Sequence, residues 1–400
     1  MQLVEAHQFN HNHKYNKSLD HLCWLSKNLY NATLYAVRQH YFQTNQYLSY
    51  YDVNAQFTHN NQYDYRQLPA KVSKMTQRLV DQNFKSFFTL LRKKQQKLYD
   101  KPVKIPKYLK KDGKQIVQYP RQALSFKKDG YVKLSDTDIF IKTKIQVADI
   151  QAARIIPYNG YIKVEIIYKK TIKSDIKKNN KYVAIDLGIN NLMTITSTEM
   201  SPFIINGRPL KSINQHANKL IAKCQQSLAR YKLYTSKHLY SIYRKRMNKI
   251  NDYLHKSVSY LMNQLVSHDI STLIVGYNKE WKQDIKLGKR NNQTFVQIPY
   301  YKLICMLEYK CELHGIKLIL HEESYTSKCS FLDKEEICKH SEYLGKRIKR
   351  GLFRTKESKL INADVNGSLN IMRKVVGNDI YDMLDPIQAC SMPYKVTIKK

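Results

Sequence analysis

The chain has 400 residues, of which 42% are hydrophobic, so it is long enough for two or three domains and too apolar for a disordered protein. It carries 68 lysines and arginines against 32 aspartates and glutamates, a formal net charge of +36. This excess indicates a long anionic partner, and nucleic acid fits best. No apolar run is long enough to span a membrane, the N-terminus lacks the apolar core of a signal peptide, and the seven cysteines are scattered. We therefore expect a cytoplasmic protein.

The first half of the chain is predicted to contain a short strand, then helices, then further strands. The strand is expected over residues 1–10. Apolar residues recur at helical spacing over 19–42 and again over 70–98, which predicts two amphipathic helices. Short alternating runs over 102–170 predict antiparallel strands, and Asn159-Gly160 is a strong hairpin signal.

The second half, from Tyr182 onward, alternates strands with helices, as an α/β domain requires. The sequence VAIDLGINNLMTIT predicts two strands joined by a turn, and two long helices follow it. The remaining predicted elements are a strand at 271–277, a helix at 299–314, a strand at 316–323 and a helix from 364 to 376. A basic, irregular segment at 326–362 interrupts this pattern.

Three carboxylates lie at the ends of apolar elements. Asp186 and Glu323 each close a β-branched run, and Asp364 stands at the start of the last helix. Each alone has an ordinary explanation as a turn residue or a helix cap. Together they form a ligand set for two hard divalent ions, because converged carboxylates would repel one another without cations. The three residues therefore predict a metal-dependent nuclease.

Three motifs resemble the TnpB family of insertion sequences, RNA-guided nucleases related to Fanzor proteins and type V CRISPR effectors. The motifs are VAIDLGINNLMTI around Asp186, SYTSKCS at 324–330 and NADVNGSLNI at 362–371. Residues 38–41 and the sequence PKYLKKDGK at 106–114 match more weakly. The resemblance extends over nearly the whole chain and is strongest from 182 to 376.

The resemblance implies an α+β multidomain fold. It consists of an N-terminal wedge β-barrel domain with an inserted helical recognition domain, followed by a RuvC-like, ribonuclease-H-type α/β nuclease domain with a small basic insertion. The expected boundaries are the wedge at 1–15 and 101–172, recognition at 16–100, a linker at 173–181, the nuclease at 182–325 and 363–376, a degenerate zinc-finger-like insertion that binds target nucleic acid at 326–362, and a tail at 377–400.

By motif, Asp186 matches the first acid of the family's nuclease site and Asp364 the third, but the second acid departs from the pattern. Family members usually have a glutamate where this chain has Gly276. Some relatives carry the acid just before the Thr-Ser pair of the next strand, and Glu323 fits that place. Glu322 remains the alternative, because alternation along a strand puts these two residues on opposite faces.

Zinc is not expected here, although the family usually has two Cys-x-x-Cys pairs between its second and third acids. Only Cys329 and Cys338 remain, with His340 nearby, whereas a structural zinc needs four ligands. Two basic segments are expected to contact nucleic acid, one of them as a lid over the cleft. The residues are Lys282, Lys286, Lys289 and Arg290 in the lid, and Lys346, Arg347, Lys349 and Arg350 in the insertion.

The resemblance implies an RNA-guided, Mg²⁺-dependent DNA endonuclease encoded by a transposable element. Asp186, Glu323 and Asp364 would be its catalytic residues and would hold two Mg²⁺ ions. A guide RNA from the element would select double-stranded DNA next to a short flanking motif, with no membrane and no small-molecule substrate involved. The alternatives are a nuclease-inactive RNA-guided repressor, for which Gly276 argues, a transposase or transposition accessory protein, and a structured-RNA chaperone.

Overall fold

The computed structural model of the protein divides into two compact units, residues 1–171 and 172–400. It describes residues 1–172, 175–278, 293, 296–385 and 389–398. None of the described helices is both long enough and apolar enough to cross a membrane. The mixed α+β, multidomain character expected from the sequence is confirmed.

The N-terminal unit has seven strands in two open sheets. In chain order they are β1 (Gln2–Asn10), β2 (Val117–Pro120), β3 (Leu124–Ser125), β4 (Tyr131–Leu134), β5 (Phe140–Lys142), β6 (Ile150–Tyr158) and β7 (Tyr161–Lys169). One sheet has the order β1-β7-β6-β2 and the other the order β3-β4-β5, with antiparallel pairs throughout. The predicted hairpin joins β6 and β7. The implied wedge barrel is not closed among the described residues, because β1 and β2 end the larger sheet as edges.

Four helices pack with these sheets around one core. They are α1 (Asn16–Thr44), α2 (Tyr50–His59), α3 (Tyr63–Arg66) and α4 (Ala70–Gln95). Leu29 of α1 and Phe84 of α4 are fully buried together with Ile155 and Val164 of the larger sheet. The helical segment and the strands therefore share one hydrophobic core within the unit.

The C-terminal unit is built on a mixed six-stranded sheet. The strands of this unit, six in the large sheet and three in a small one, are β8 (Tyr182–Leu187), β9 (Asn191–Ser197), β10 (Phe203–Asn206), β11 (Thr272–Gly276), β12 (Lys317–His321), β13 (Lys346–Lys349), β14 (Leu352–Arg354), β15 (Leu360–Asn362) and β16 (Tyr394–Val396). The order of the large sheet is β12-β11-β8-β9-β10-β16, and β13, β14 and β15 form a small antiparallel sheet. On one side of the central strand β8, antiparallel pairs join β8 to β9 and β9 to β10, and β16 pairs parallel with β10 at the edge. On the other side, β11 and β12 follow in parallel pairs.

Helices cover both faces of the large sheet. They are α5 (Arg208–Ala229), α6 (Lys237–Ser267), α7 (Tyr300–Leu313), α8 (Ala363–Val376) and α9 (Ile380–Met383). Alternation along β8 sends Val183 and Ile185 into the core that contains α6 and α7. Ala184 packs on the opposite face, in the core that contains Leu369 of α8. Asp186 shares that alternation with Ala184, so it lies on the face that α8 covers.

Helix α8 holds the start of the insertion through two fully buried asparagines. The amide nitrogen of Asn366 donates to the Cys329 carbonyl at 2.9 Å, and its oxygen accepts from the Phe331 amide at 2.9 Å. Asn370 donates to the carbonyls of Thr326 at 2.9 Å and Cys329 at 2.8 Å. The carbonyls of Thr326 and Cys329 and the amide of Phe331 therefore take their partners from side chains of a helix instead of from a neighbouring strand.

We predict that Asn366→Ala destabilises the C-terminal unit by about 1–3 kcal/mol, because it leaves the buried Phe331 amide without its acceptor. Denaturant unfolding should give the free energy, and hydrogen exchange should show faster exchange at residues 326–331. The matched control is Asn378→Ala, since Asn378 is exposed and only accepts from Arg373 at 2.8 Å. Equal stabilities of the two variants would contradict this role for Asn366.

Candidate functional site

The ends of three neighbouring strands meet beneath α8. Ile185 of β8 pairs with Val275 of β11, so the next position on each strand places Asp186 beside Gly276. Gly276 in turn pairs with His321, the last residue of β12, and Glu323 follows two residues later. Because adjacent strands are about 4.8 Å apart, these three positions lie side by side at one edge of the sheet.

The carboxylate of Glu323 occupies the space that a side chain at position 276 would need. A Cβ atom built on Gly276 would lie 2.7 Å from Glu323 Oε2 and 2.5 Å from Ile371 Cδ1, both too close. Asn278 orients the acid, since its Oδ1 accepts from the Glu323 amide at 3.0 Å and its Nδ2 lies 3.5 Å from Oε1. The Glu323 carboxylate thus lies directly beside Gly276.

Glu322 has a different environment from Glu323. It is exposed, and its carboxylate accepts from Lys374 of α8 at 3.1 Å and from the Ser324 hydroxyl. These contacts make it part of a surface ion pair. Of the two acids that the sequence left open, Glu323 is the one beside Gly276.

Asp364 lies in the first turn of α8, fixed by a cap and by two donors. The Asn362 side chain accepts from the backbone amides of Asp364 at 3.0 Å and Val365 at 3.2 Å, which starts the helix there. The Asp364 carboxylate accepts from Asn191 Nδ2 at 2.7 Å and from Arg347 Nη2 at 2.8 Å. Asn191 was not singled out by the sequence reasoning, although it stands in the same motif as Asp186.

Asp186 is packed closely under α8, and its charged form is disfavoured. A Cβ atom at Gly367 would lie 3.3 Å from Asp186 Oδ2, so a glycine here lets the helix pass close to the carboxylate. Burial, followed by the negative charges of Glu323 and Asp364, raises the pKa of Asp186 well above its usual range, and only Arg347 opposes this effect. The site therefore has an excess of negative charge.

The pKa values of two further groups in or beside the site are also raised. Burial, with a contribution from the charge of Glu322, raises the pKa of Glu323 to about 7, against a smaller opposing effect of Lys374. Burial and the charges of Asp186 and Glu323 also raise the pKa of Tyr300, whose hydroxyl donates to the Gly188 carbonyl at 2.8 Å. Tyr300 is a neighbour of the site that no sequence signal identified.

An open cleft of about 620 Å³ lies beside Asp186 and Asp364. Four basic side chains line it: Arg208, Arg347, Arg350 and Lys395. Arg347 and Arg350 were predicted from the sequence, whereas Arg208 and Lys395 were missed. Lys346 and Lys349 are exposed on β13 and are not part of the lining, and Lys282, Lys286, Lys289 and Arg290 lie outside the described residues.

In the insertion, a carboxylate connects backbone segments near the remaining cysteines. Glu335 is buried and accepts from the amides of Ser330 at 2.7 Å and Leu344 at 2.9 Å. Cys338 Sγ lies 3.3 Å from His340 Nε2. In the part of the chain that the structure describes, no three His, Cys, Asp or Glu side chains are grouped so as to hold a metal ion.

The raised pKa of Glu323 predicts that stability depends on pH in metal-free buffer. As pH rises from about 4.5 to about 7, the unfolded chain loses this proton before the folded chain does, so the free energy of unfolding falls. Glu323→Gln should flatten this decline and raise the unfolding midpoint at neutral pH, as measured by thermal unfolding with a chelator present. Glu322→Gln is the control and should keep the wild-type slope. A wild-type slope in Glu323→Gln would refute the assignment.

Two protein-family models match this chain, and together they cover Gly276 and the three acids of the site. A family model described as "Probable transposase" (OrfB_IS605) matches residues 162–282, which contain Asp186 and Gly276. A second model, "Cas12f1-like, TNB domain", matches residues 300–371, which contain Glu323 and Asp364.

Individual relatives are more distant. The "TnpB-like protein ORF457" of Acidianus two-tailed virus is 24% identical over 227 residues, 55% of this chain and 47% of that protein, so the match spans about half of its length. Among solved structures, a Cas12f1–sgRNA–target DNA complex is 14% identical, with 92% of this chain and 98% of that chain covered and a TM-score of 0.37.

A CRISPR-Cas12f ternary complex is 13% identical, with coverages of 89% and 81% and a TM-score of 0.38. The mini RNA-guided endonuclease CRISPR-Cas_phi3 is 11% identical, with coverages of 61% and 57% and a TM-score of 0.38. TM-scores this low do not establish a shared architecture. The two family models and the viral relative, in contrast, confirm the resemblance predicted from the motifs: the chain is similar to proteins of the TnpB family.

Proposed function

We propose that the protein is an RNA-guided, Mg²⁺-dependent DNA endonuclease encoded by a transposable element, which cuts double-stranded DNA next to a short flanking motif. The observation that carries this proposal is the position of Glu323, whose carboxylate fills the space above Gly276 and beside Asp186. On this proposal the second acid is relocated to Glu323, which would complete the set of three acids that hydrolysis needs.

The large sheet supports a RuvC-like, ribonuclease-H-type domain. Its central strand β8 carries the first acid and pairs antiparallel with β9 on one side and parallel with β11 on the other. We assign the nuclease domain to 182–325 and 363–376 and the insertion to 326–362, and we retain the wedge and recognition assignments for the N-terminal unit. Helix α8 contacts β8 and β11 and brings Asp364 to the ends of these two strands.

The donor set suits Mg²⁺ better than a softer metal. Asp186, Glu323 and Asp364 offer carboxylate oxygens, the ligands that hard divalent cations prefer. Burial, and then the charges of the other two acids, raise the pKa of Asp186, and a bound cation would favour its charged form. As placed, these side chains do not form a group that could hold one ion among the residues that the structure describes.

When bound, Mg²⁺ would activate a water for attack on the phosphate and stabilise the leaving oxygen. Polar side chains of the protein orient the acids that would hold the ion. Asn278 holds Glu323, and Asn191 holds Asp364 at 2.7 Å. Arg347 donates to Asp364 from the exposed β13, where it is also accessible to a phosphate.

The net positive charge of the chain indicates that its partners are nucleic acids. An excess of 36 positive charges suits a guide RNA and a DNA target together, since each phosphate contact by Lys or Arg releases a counterion. Guide–target pairing would read the sequence, and the protein would recognise the shape of the heteroduplex and the flanking motif. We place this activity in the cytoplasm, at the nucleoid of a prokaryotic host.

We predict that Glu323→Ala reduces cleavage by more than about a hundredfold, because loss of residues that merely orient metal ligands already costs 10–100-fold. The protein should be isolated with its bound RNA, the RNA sequenced, and cleavage measured on matching double-stranded DNA with a randomised flank and Mg²⁺. Binding of the RNA and the DNA should be unchanged in the variant.

Glu322→Ala is the matched control, because it removes a neighbouring acid that pairs with Lys374 at the surface. It should cleave within a fewfold of wild type. If Glu323→Ala cuts normally, or if Glu322→Ala is the variant that fails, the assignment of the second acid is wrong. Random cellular RNA in the preparation would count against a guide.

A nuclease-inactive RNA-guided repressor is the second candidate. Two observations favour it: Gly276 stands where the family usually has its acid, and the three carboxylates as placed do not form a group that could hold a metal. In that case wild type and Glu323→Ala would bind the same DNA equally well, and neither would cut it. Joining of element ends by RNase-treated protein would indicate a transposase instead.

A further inference from the structure

A single row of paired residues crosses the sheet from the acidic site to its far edge. Asp186 of β8 pairs with Thr194 of β9, Thr194 with Ile204 of β10, and Ile204 with Lys395 of β16. Directly paired residues point to the same face, and all four line the cleft. Three strand spacings separate Asp186 from Lys395, roughly 14 Å.

Strand β16 is fixed by contacts on both sides of Lys395. The Tyr394 ring stacks on Phe203 with 5.5 Å between centroids, and Val396 packs against the core beneath β10. The Thr397 hydroxyl accepts from Asn206 Nδ2 at 3.0 Å. Because the residues on either side of Lys395 face the core, Lys395 is held facing the cleft.

The cleft carries cations that the acids do not neutralise. Among the described residues, Lys395, Arg208 and Arg350 form no ion pair, and only Arg347 is engaged with an acid, Asp364. Lys395 and Arg208 are both exposed and lie on the side of the cleft formed by β10, α5 and β16. Arg347 and Arg350 lie on the side formed by the insertion.

The size and charge of the cleft define its ligand. The cleft has a volume of about 620 Å³, the size of a pocket for a drug-sized molecule, so a few nucleotides of a single strand are enough to fill it. Unpaired lysine and arginine side chains are the usual ligands of backbone phosphates, which position a nucleic acid without reading its sequence.

We propose that β16 forms the outer wall of a channel for a single DNA strand, in which Lys395 and Arg208 bind backbone phosphates about three strand spacings from Asp186. The insertion, through Arg350, forms the opposite wall. The identity of the strand rests on the nuclease function proposed above, whereas the presence of a phosphate-binding wall rests on the register and the cations alone. The C-terminal tail would thereby be part of the substrate site.

The test is photo-cross-linking in the full-length, RNA-loaded protein, with a benzophenone amino acid at position 395 and a labelled target DNA. A chelator prevents cutting, so the readout does not depend on activity. We expect an adduct with the DNA strand at position 395. The matched control is position 317, an exposed lysine on β12 at the opposite edge of the same sheet, which should give no adduct above background.

A second measurement uses substitutions at the exposed side chains, which should leave folding intact. Lys395→Gln and Arg208→Gln should each raise the half-saturating DNA concentration up to about fivefold with little change in the maximal cleavage rate, while Lys317→Gln should not. An adduct with the guide RNA, or none above the control, would overturn the proposal. An adduct with DNA in a wild-type protein that never cuts would preserve the channel and refute the nuclease.

Discussion

The close packing of α8 against β8 is the contact on which the rest of the C-terminal unit depends. Gly367 brings the helix close to Asp186, and Ser368 donates to the Ala184 carbonyl at 3.1 Å and contacts the Thr196 hydroxyl at 2.9 Å. The same helix presents Asp364 to the cleft and Asn366 to the insertion. The cost of burying these polar groups is offset because each finds a partner across the interface. One helix therefore sets the position of the sheet, the third acid and the insertion relative to one another.

The sequence predicted the long elements of this fold well, because their periodicity is strong and local. The helices that became α1 and α4, the β6–β7 hairpin and the alternation of strands and helices after Tyr182 are all observed. The short strands β13 and β16 were missed, since three or four largely exposed residues carry no periodic signal. Barrel closure was not predictable either, because it depends on which strands pair at long range and not on any one segment.

The candidate site was predictable to the extent that its residues end recognisable elements. Asp186 and Asp364 were located in that way, but the alternation that separates Glu322 from Glu323 says nothing about which face is the active one. Long-range contacts give the two acids different surroundings: Lys374 pairs with Glu322 at the surface, and Gly276 leaves space for Glu323. Lys395 could not be found from sequence, because its relation to Asp186 exists only through the pairing of four strands.

The contact between Gly276 and Glu323 also limits how such a site can evolve. Since a Cβ atom at position 276 would lie 2.7 Å from the Glu323 carboxylate and 2.5 Å from Ile371, a side chain there would force both of these side chains to move. Acids at positions 276 and 323 would therefore compete for the same space. We expect the two positions to covary across the family, with glycine favoured at the first wherever the second is acidic.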